Sequence, residues 1–325
     1  METANLKEDY KKLVLGITLT SLICALSISI PVIGFIFFLV APLPVLFYRI
    51  RLRTKKTVII IFCSLACLMF LSGGLSADIF FIAGMLLLGF SMGEFVERNL
   101  PVEKIIGYAC GVVLFTATFA LALYGNISNL GLSRLVSDYI GQNLALTLAL
   151  YKNMGMPEES ITMLSNSMEQ IRYVLVRILP SICTAGLLFS AWLNFLLAKI
   201  VLRTETSAYQ SFVQLNTWKS PDYLVWGVIG CALMLMLPVS FFKMLALNGM
   251  VVLTIIYFFQ GIAIISFYFE KKKIPMAIRT LLYGTIIIQQ IFLLVIAGIG
   301  FFDVWLNFRR LGSDNNKDKQ IPLSS

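Results

Sequence analysis

The 325-residue sequence contains no histidine. That absence removes His-dependent nucleophilic triads, imidazole metal ligands, imidazole proton relays and His-ligated haem in one step. Charge is scarce as well, with 13% of residues Asp, Glu, Lys or Arg against 58% hydrophobic and a mean hydropathy of +0.86. A soluble domain carries roughly 25% charged residues, so water is the wrong reference solvent for this chain. Cys24, Cys63, Cys67, Cys110, Cys183 and Cys231 all lie within apolar stretches and none makes a CxxC pair, which leaves them as small packing residues. There is no Gly-rich phosphate loop, no HExxH and no GxSxG. The sequence therefore predicts no enzyme, no cofactor, no metal and no catalytic residue.

What the sequence does have is a succession of long apolar runs. A helix of about 20 apolar residues crosses a hydrocarbon core of about 30 Å. A membrane β-barrel would instead alternate apolar and polar positions over strands of about 10 residues, which these runs do not. The fold class is all-α, a polytopic transmembrane helical bundle of about 8–9 spans. It is read as one integral membrane domain over residues 1–312, followed by a polar C-terminal tail at 313–325. The partner implied throughout is the lipid bilayer. The net charge of +9 sits in short basic clusters between apolar runs, where it sets helix orientation, so no nucleic acid is expected.

Lys7, Lys11 and Lys12 precede the first apolar run, which continues past Pro31 without a cleavage site and reads as an uncleaved span. Pro31 and Gly34 mark a turn, and Pro42 and Pro44 bend the second span. Arg49, Arg51, Arg53, Lys55 and Lys56 form the densest basic loop, which the positive-inside rule places in the cytoplasm together with the N-terminus. Further spans are expected at Thr57 to Gly74, Ile79 to Phe95 and Ile105 to Tyr124. The localisation implied is a bacterial cytoplasmic membrane.

Residues 125–172 are the least membrane-like part and are expected outside as an amphipathic extracytoplasmic segment. It breaks at Gly155-Met156-Pro157 into two amphipathic helices that lie on the bilayer or cap the bundle. The chain re-enters over Tyr173 to Val201, with Pro180 as a kink, and reaches an inner loop holding Arg203, Lys219 and Asp222. Two spans, Tyr223 to Phe242 and Leu247 to Phe269, lead to a second basic cluster at Lys271, Lys272, Lys273 and Arg279. A last span at Leu281 to Phe302 would leave the tail outside, while Arg309 and Arg310 favour the inside.

Gly89-x-x-x-Gly93, Gly107-x-x-x-Gly111 and Gly186-x-x-x-Ser190 place small residues on one helix face, the pattern of close helix packing. Polar residues inside spans face a neighbouring helix, a partner or a cavity. Asn194, Asn248 and Gln260 are the candidate ligand-binding residues on that ground, with interhelical hydrogen bonding as the structural alternative. Gln289 and Gln290 lie in the last span, while Glu94, Glu97, Arg98, Glu103 and Lys104 read as a solvated charged loop.

Several segments in order, Ile178-Leu179-Pro180, Trp192-Leu193-Asn194, Asn248-Gly249, Tyr257-Phe258-Phe259-Gln260-Gly261 and Gly300 to Trp305 followed by Phe308-Arg309-Arg310, carry a resemblance over about the C-terminal half. The chain resembles the YybS-like family of bacterial multi-pass membrane proteins, domain of unknown function 2232. More distantly it is similar to the substrate-binding subunits of energy-coupling-factor vitamin transporters. That likeness implies a coupling subunit and ATPases as partners and a small-molecule ligand of unknown identity. Those subunits dock through an Ala-x-x-x-Ala face, and the nearest match here is Ser21-x-x-x-Ala25. Two functions are expected on these grounds: a vitamin-like binding or transport subunit, or a non-transporting scaffold or regulatory protein in envelope assembly.

Overall fold

A computed structural model describes residues 2–30, 33–74, 76–127, 131–202 and 218–309. Among them are eleven helices and no strand. In chain order these are α1 (Glu2–Ser29), α2 (Ile33–Val40), α3 (Pro42–Leu71), α4 (Ala77–Glu97), α5 (Val102–Ile127) and α6 (Leu132–Asn153). After them come α7 (Glu158–Val201), α8 (Leu224–Met236), α9 (Ser240–Lys271), α10 (Met276–Ile288) and α11 (Gln290–Leu306). Seven stretches are long and apolar enough to cross a membrane, two of them, Ile33–Leu52 and Thr54–Leu71, meeting within α3, and an eighth candidate is the bent α10–α11 pair. Arg203, Ser207, Arg310, the tail at 313–325 and the expected turn at Pro31 lie outside the described residues. The chain divides into two compact units, 1–95 with 106–194 and 96–105 with 195–325.

In the first unit the expected basic loop is helical, yet it still separates two candidate spans, Ile33–Leu52 and Thr54–Leu71. Residues Pro42–Leu71 form one hydrogen-bonded helix that carries the basic cluster in its middle. Arg and Lys are good helix formers, and neither Gly nor Pro interrupts the stretch from Arg49 to Lys56. The helix nevertheless turns back. A Cβ placed on Gly16 of α1 would meet both Tyr48 and Ile60, which a straight helix would hold about 18 Å apart. Tyr48, Leu52 and Ile60 instead form one buried cluster with Leu13, Ile17 and Phe47 packed against it.

The break at Gly155-Met156-Pro157 occurs as the sequence predicts. Gly155 takes φ +76°, and Met156 N–H reaches Tyr151 O at 3.2 Å, closing the end of α6 in the left-handed manner that glycine permits. The helix beyond the break is not the separate surface helix that the sequence suggests. Helix α7 runs unbroken for 44 residues, about 66 Å at 1.5 Å per residue, or twice the hydrocarbon core. Its stretch from Glu158 to Arg172 is therefore continuous with the helix that supplies the span, and Pro180 lies inside that helix. Helix α6 folds back along it, with Gly141 lying against the Arg172 side chain.

In the second unit α8 and α9 are antiparallel: Gly227 lies against Leu253 and Gly249 against Cys231. The expected single last span is two helices bent by 106° at Gln289. The direction of α11 is fixed by where its end lies. Tyr268 in the last turn of α9 donates to Phe308 O, just beyond α11, at 2.8 Å, so the two helices finish side by side. Helix α10 thus starts from the α9 end and α11 returns to it, the geometry of a re-entrant element. Arg309 accordingly lies beside Lys271. The Gln289–Gln290 pair gives the reason: polar residues interrupt the apolar run where the chain reverses.

Candidate functional site

Gln260 lies on α9 and is fully buried. Its Oε1 accepts from Ser220 Oγ, and from Ser220 N at 3.3 Å, while its Nε2 donates to Asp303 Oδ2 at 3.1 Å. Asp303 on α11 is 1% exposed and accepts three times: from Gln260, from Arg309 Nη2 at 3.0 Å, and from Phe308 N–H at 2.9 Å through Oδ1. Arg309 Nη1 donates to Trp218 O at 2.8 Å. A left-handed Asn307, φ +43°, turns the chain so that Arg309 folds back onto the carboxylate six positions before it.

This arrangement requires α9 and α11 to approach to backbone contact. A Cβ on Gly261 would strike Ile296 O, and one on Gly300 would strike Tyr257 O. The rings of Tyr257 and Phe301 then meet edge to face at 5.3 Å. A carboxylate and a guanidinium taken out of water are tolerated only when both are paired and hydrogen-bonded. The cluster therefore locks the segment before α8, α9 and the end of α11 into one arrangement.

Asn194 on α7 is also fully buried, and its contacts repair a break in another helix. Helices α2 and α3 are interrupted at Ala41, where Pro42 cannot donate to Phe38 O and Ala41 N takes that carbonyl at 3.3 Å instead, and the neighbouring Leu39 O lies at the break. Ser190 Oγ at 2.8 Å and Asn194 Nδ2 at 2.7 Å take the Leu39 carbonyl. Asn194 also donates to Ser190 O at 2.7 Å, while its Oδ1 has no hydrogen-bond partner among the described residues. Asn248 bonds back to Met244 O at 2.9 Å within α9. It sits about three turns from Gln260, at a different depth. Asn194 and Gln260 thus serve two separate helix contacts.

Sequence reasoning missed a buried ion pair. Arg49, 2% exposed, meets Glu94 at 2.5 Å, although the sequence places both in solvated loops. The pair depends on the Gly89-x-x-x-Gly93 face of α4: a Cβ on Gly89 would enter the Pro42 backbone, and one on Gly93 would meet the Arg49 side chain at 2.6 Å. The available signal was position, since Arg49 and Glu94 each lie within an unbroken helical pattern rather than beyond its end. A Cβ on Gly107 or Gly111 would meet nothing within 4 Å among the described residues, and the two glycines line an open apolar groove of about 450 Å³ with Phe95, Tyr108, Val112 and Phe115.

The family model described as "Predicted membrane protein (DUF2232)" matches residues 18–304, from within α1 nearly to the end of α11. The chain belongs to the DUF2232 family. It is similar to the "Uncharacterized protein YybS" of Bacillus subtilis (strain 168), with 26% identity over 302 residues that cover 90% of this chain and 94% of the relative. No solved structure matches. The matched span includes Arg49, Glu94, Asn194, Gln260 and Asp303, while Arg309 lies just beyond it.

Proposed function

We propose that this member of the family is a non-catalytic scaffold that acts through partner proteins in the bacterial cytoplasmic membrane. The basic clusters on α3 and at the end of α9 face the cytoplasm in this reading, and the α6–α7 hairpin faces outward. The observation that carries it is how the buried polar side chains are spent. Gln260, Asp303 and Arg309 bind one another, Asn194 serves a broken helix, and Arg49 and Glu94 pair. A vitamin-like binding or transport subunit needs polar groups that can meet a solute, and these contacts lend it no support. The hairpin meanwhile presents Leu146, Leu150, Met154 and Met163, each at least 60% exposed.

The test is site-specific photocrosslinking from Leu146 and Leu150 in intact cells. A protein adduct of fixed mass from both positions is the expected result. A deletion strain with a solute-specific uptake defect that the wild-type gene restores, together with no adduct, sinks the scaffold reading and favours transport.

A further inference from the structure

Where α9 and α11 end together they leave a hollow of about 370 Å³, lined by Tyr268, Lys271, Leu306, Asn307, Phe308 and Arg309. The polar groups of its back wall are mostly committed within the protein. The Arg309 guanidinium is committed to Asp303 and Trp218, Phe308 N–H to Asp303, and the Tyr268 hydroxyl to Phe308 O. The groups left to receive something at its mouth are the Lys271 ammonium and the Asn307 side chain. Lys271 has no carboxylate within ion-pair distance among the described residues and rests 5.8 Å over the Phe267 ring.

The local charge is positive. Lys271, Lys272 and Lys273 stand in a row against a single neighbouring Glu270, and Arg309 and Asp303 cancel. The hollow also lies at the ends of two apolar helices, the depth at which a bilayer presents its headgroups. Beside it Phe302, Trp305 and Leu306 are exposed by 53%, 56% and 62%. Aromatic residues at that level favour the boundary between acyl chains and headgroups.

We infer that this hollow binds the phosphate of an anionic phospholipid, with Lys271 and Asn307 at the phosphate and Phe302, Trp305 and Leu306 along the acyl chains. The apolar wall distinguishes this ligand from free inorganic phosphate, which would use the same two polar groups and leave the wall idle. The site is independent of the scaffold reading, because it concerns lipid rather than a protein partner.

The experiment is native mass spectrometry of the full chain extracted from bilayers of phosphatidylglycerol and phosphatidylcholine, paired with equilibrium dialysis against labelled inorganic phosphate. Phosphatidylglycerol should be retained at least fivefold over phosphatidylcholine. Lys271→Gln should cut that retention at least fivefold, with the thermal midpoint unchanged. Asn307→Gly, which keeps the left-handed backbone and removes the side-chain amide, should cut it about twofold. It is the second variant if Lys271→Gln does not fold. Lys271-dependent binding of inorganic phosphate without lipid retention supports the phosphate site and assigns it to the free ion. Retention that both variants leave within experimental error of wild type, or no preference over phosphatidylcholine and no phosphate binding, overturns the proposal.

Discussion

Helices α4 and α5 carry the same glycine spacing and use it in opposite ways. On α4, Gly89 and Gly93 lie against the backbone of Pro42 and the side chain of Arg49, and the close approach lets Arg49 reach Glu94. On α5, a Cβ on Gly107 or Gly111 would meet nothing within 4 Å among the described residues, and both glycines floor an open groove. Small residues permit close packing without compelling it, since lipid tails are as apolar as the helix they would cover. What seals the α4 side is the polar pair that the glycines admit.

The largest way to break this contrast is to remove one charge. Glu94→Ala should leave Arg49 buried without its carboxylate and cost about 3 kcal/mol, the low end for a buried pair because Glu94 is itself 29% exposed. The double variant Arg49→Met with Glu94→Leu should return most of that stability. Thermal unfolding in detergent reads both, and equal losses for the single and double variants would refute a structural role for the pairing. Next in size, Gly89→Val should lose about 1–3 kcal/mol through overpacking against the Pro42 backbone. Gly107→Val should stay within about 0.5 kcal/mol, as for other exposed positions. If the two valine variants unfold alike, the α4 seam is not tight.

The re-entrant element gives a prediction that involves no loss of stability. In a cysteine-free background, Lys272→Cys and Ser313→Cys should be labelled by an impermeant maleimide from the same side of the membrane. Ser160→Cys, in the first turn of α7, and Ser207→Cys, six positions beyond its last residue in the sequence, should be labelled from opposite sides. Labelling of residues 272 and 313 from different faces would make α10–α11 a crossing span.

Much of this architecture is legible in sequence, and the exceptions have particular causes. The apolar runs, the break at Gly155 and the helical class arise from hydropathy and local backbone preference, which are properties of contiguous residues. The basic stretch from Arg49 to Lys56 has the composition of a loop but is helix, because charge marks the membrane boundary and not the end of a helix. Gln260 and Asn194 stand out because polar groups are rare in spans, but their partners do not. Ser220 and Asp303 are 40 and 43 positions from Gln260, and Leu39 is 155 from Asn194.

The sequence by itself determined that this is a helical membrane protein and where most of its helices run, because burial in lipid forces every backbone group to be satisfied locally. Only the tertiary structure decided which polar side chains meet, which glycine face is sealed, and that α11 returns to the end of α9. Those outcomes depend on contacts between residues far apart in the chain, such as Tyr268 with Phe308 and Gly261 with Ile296. No local periodicity encodes them.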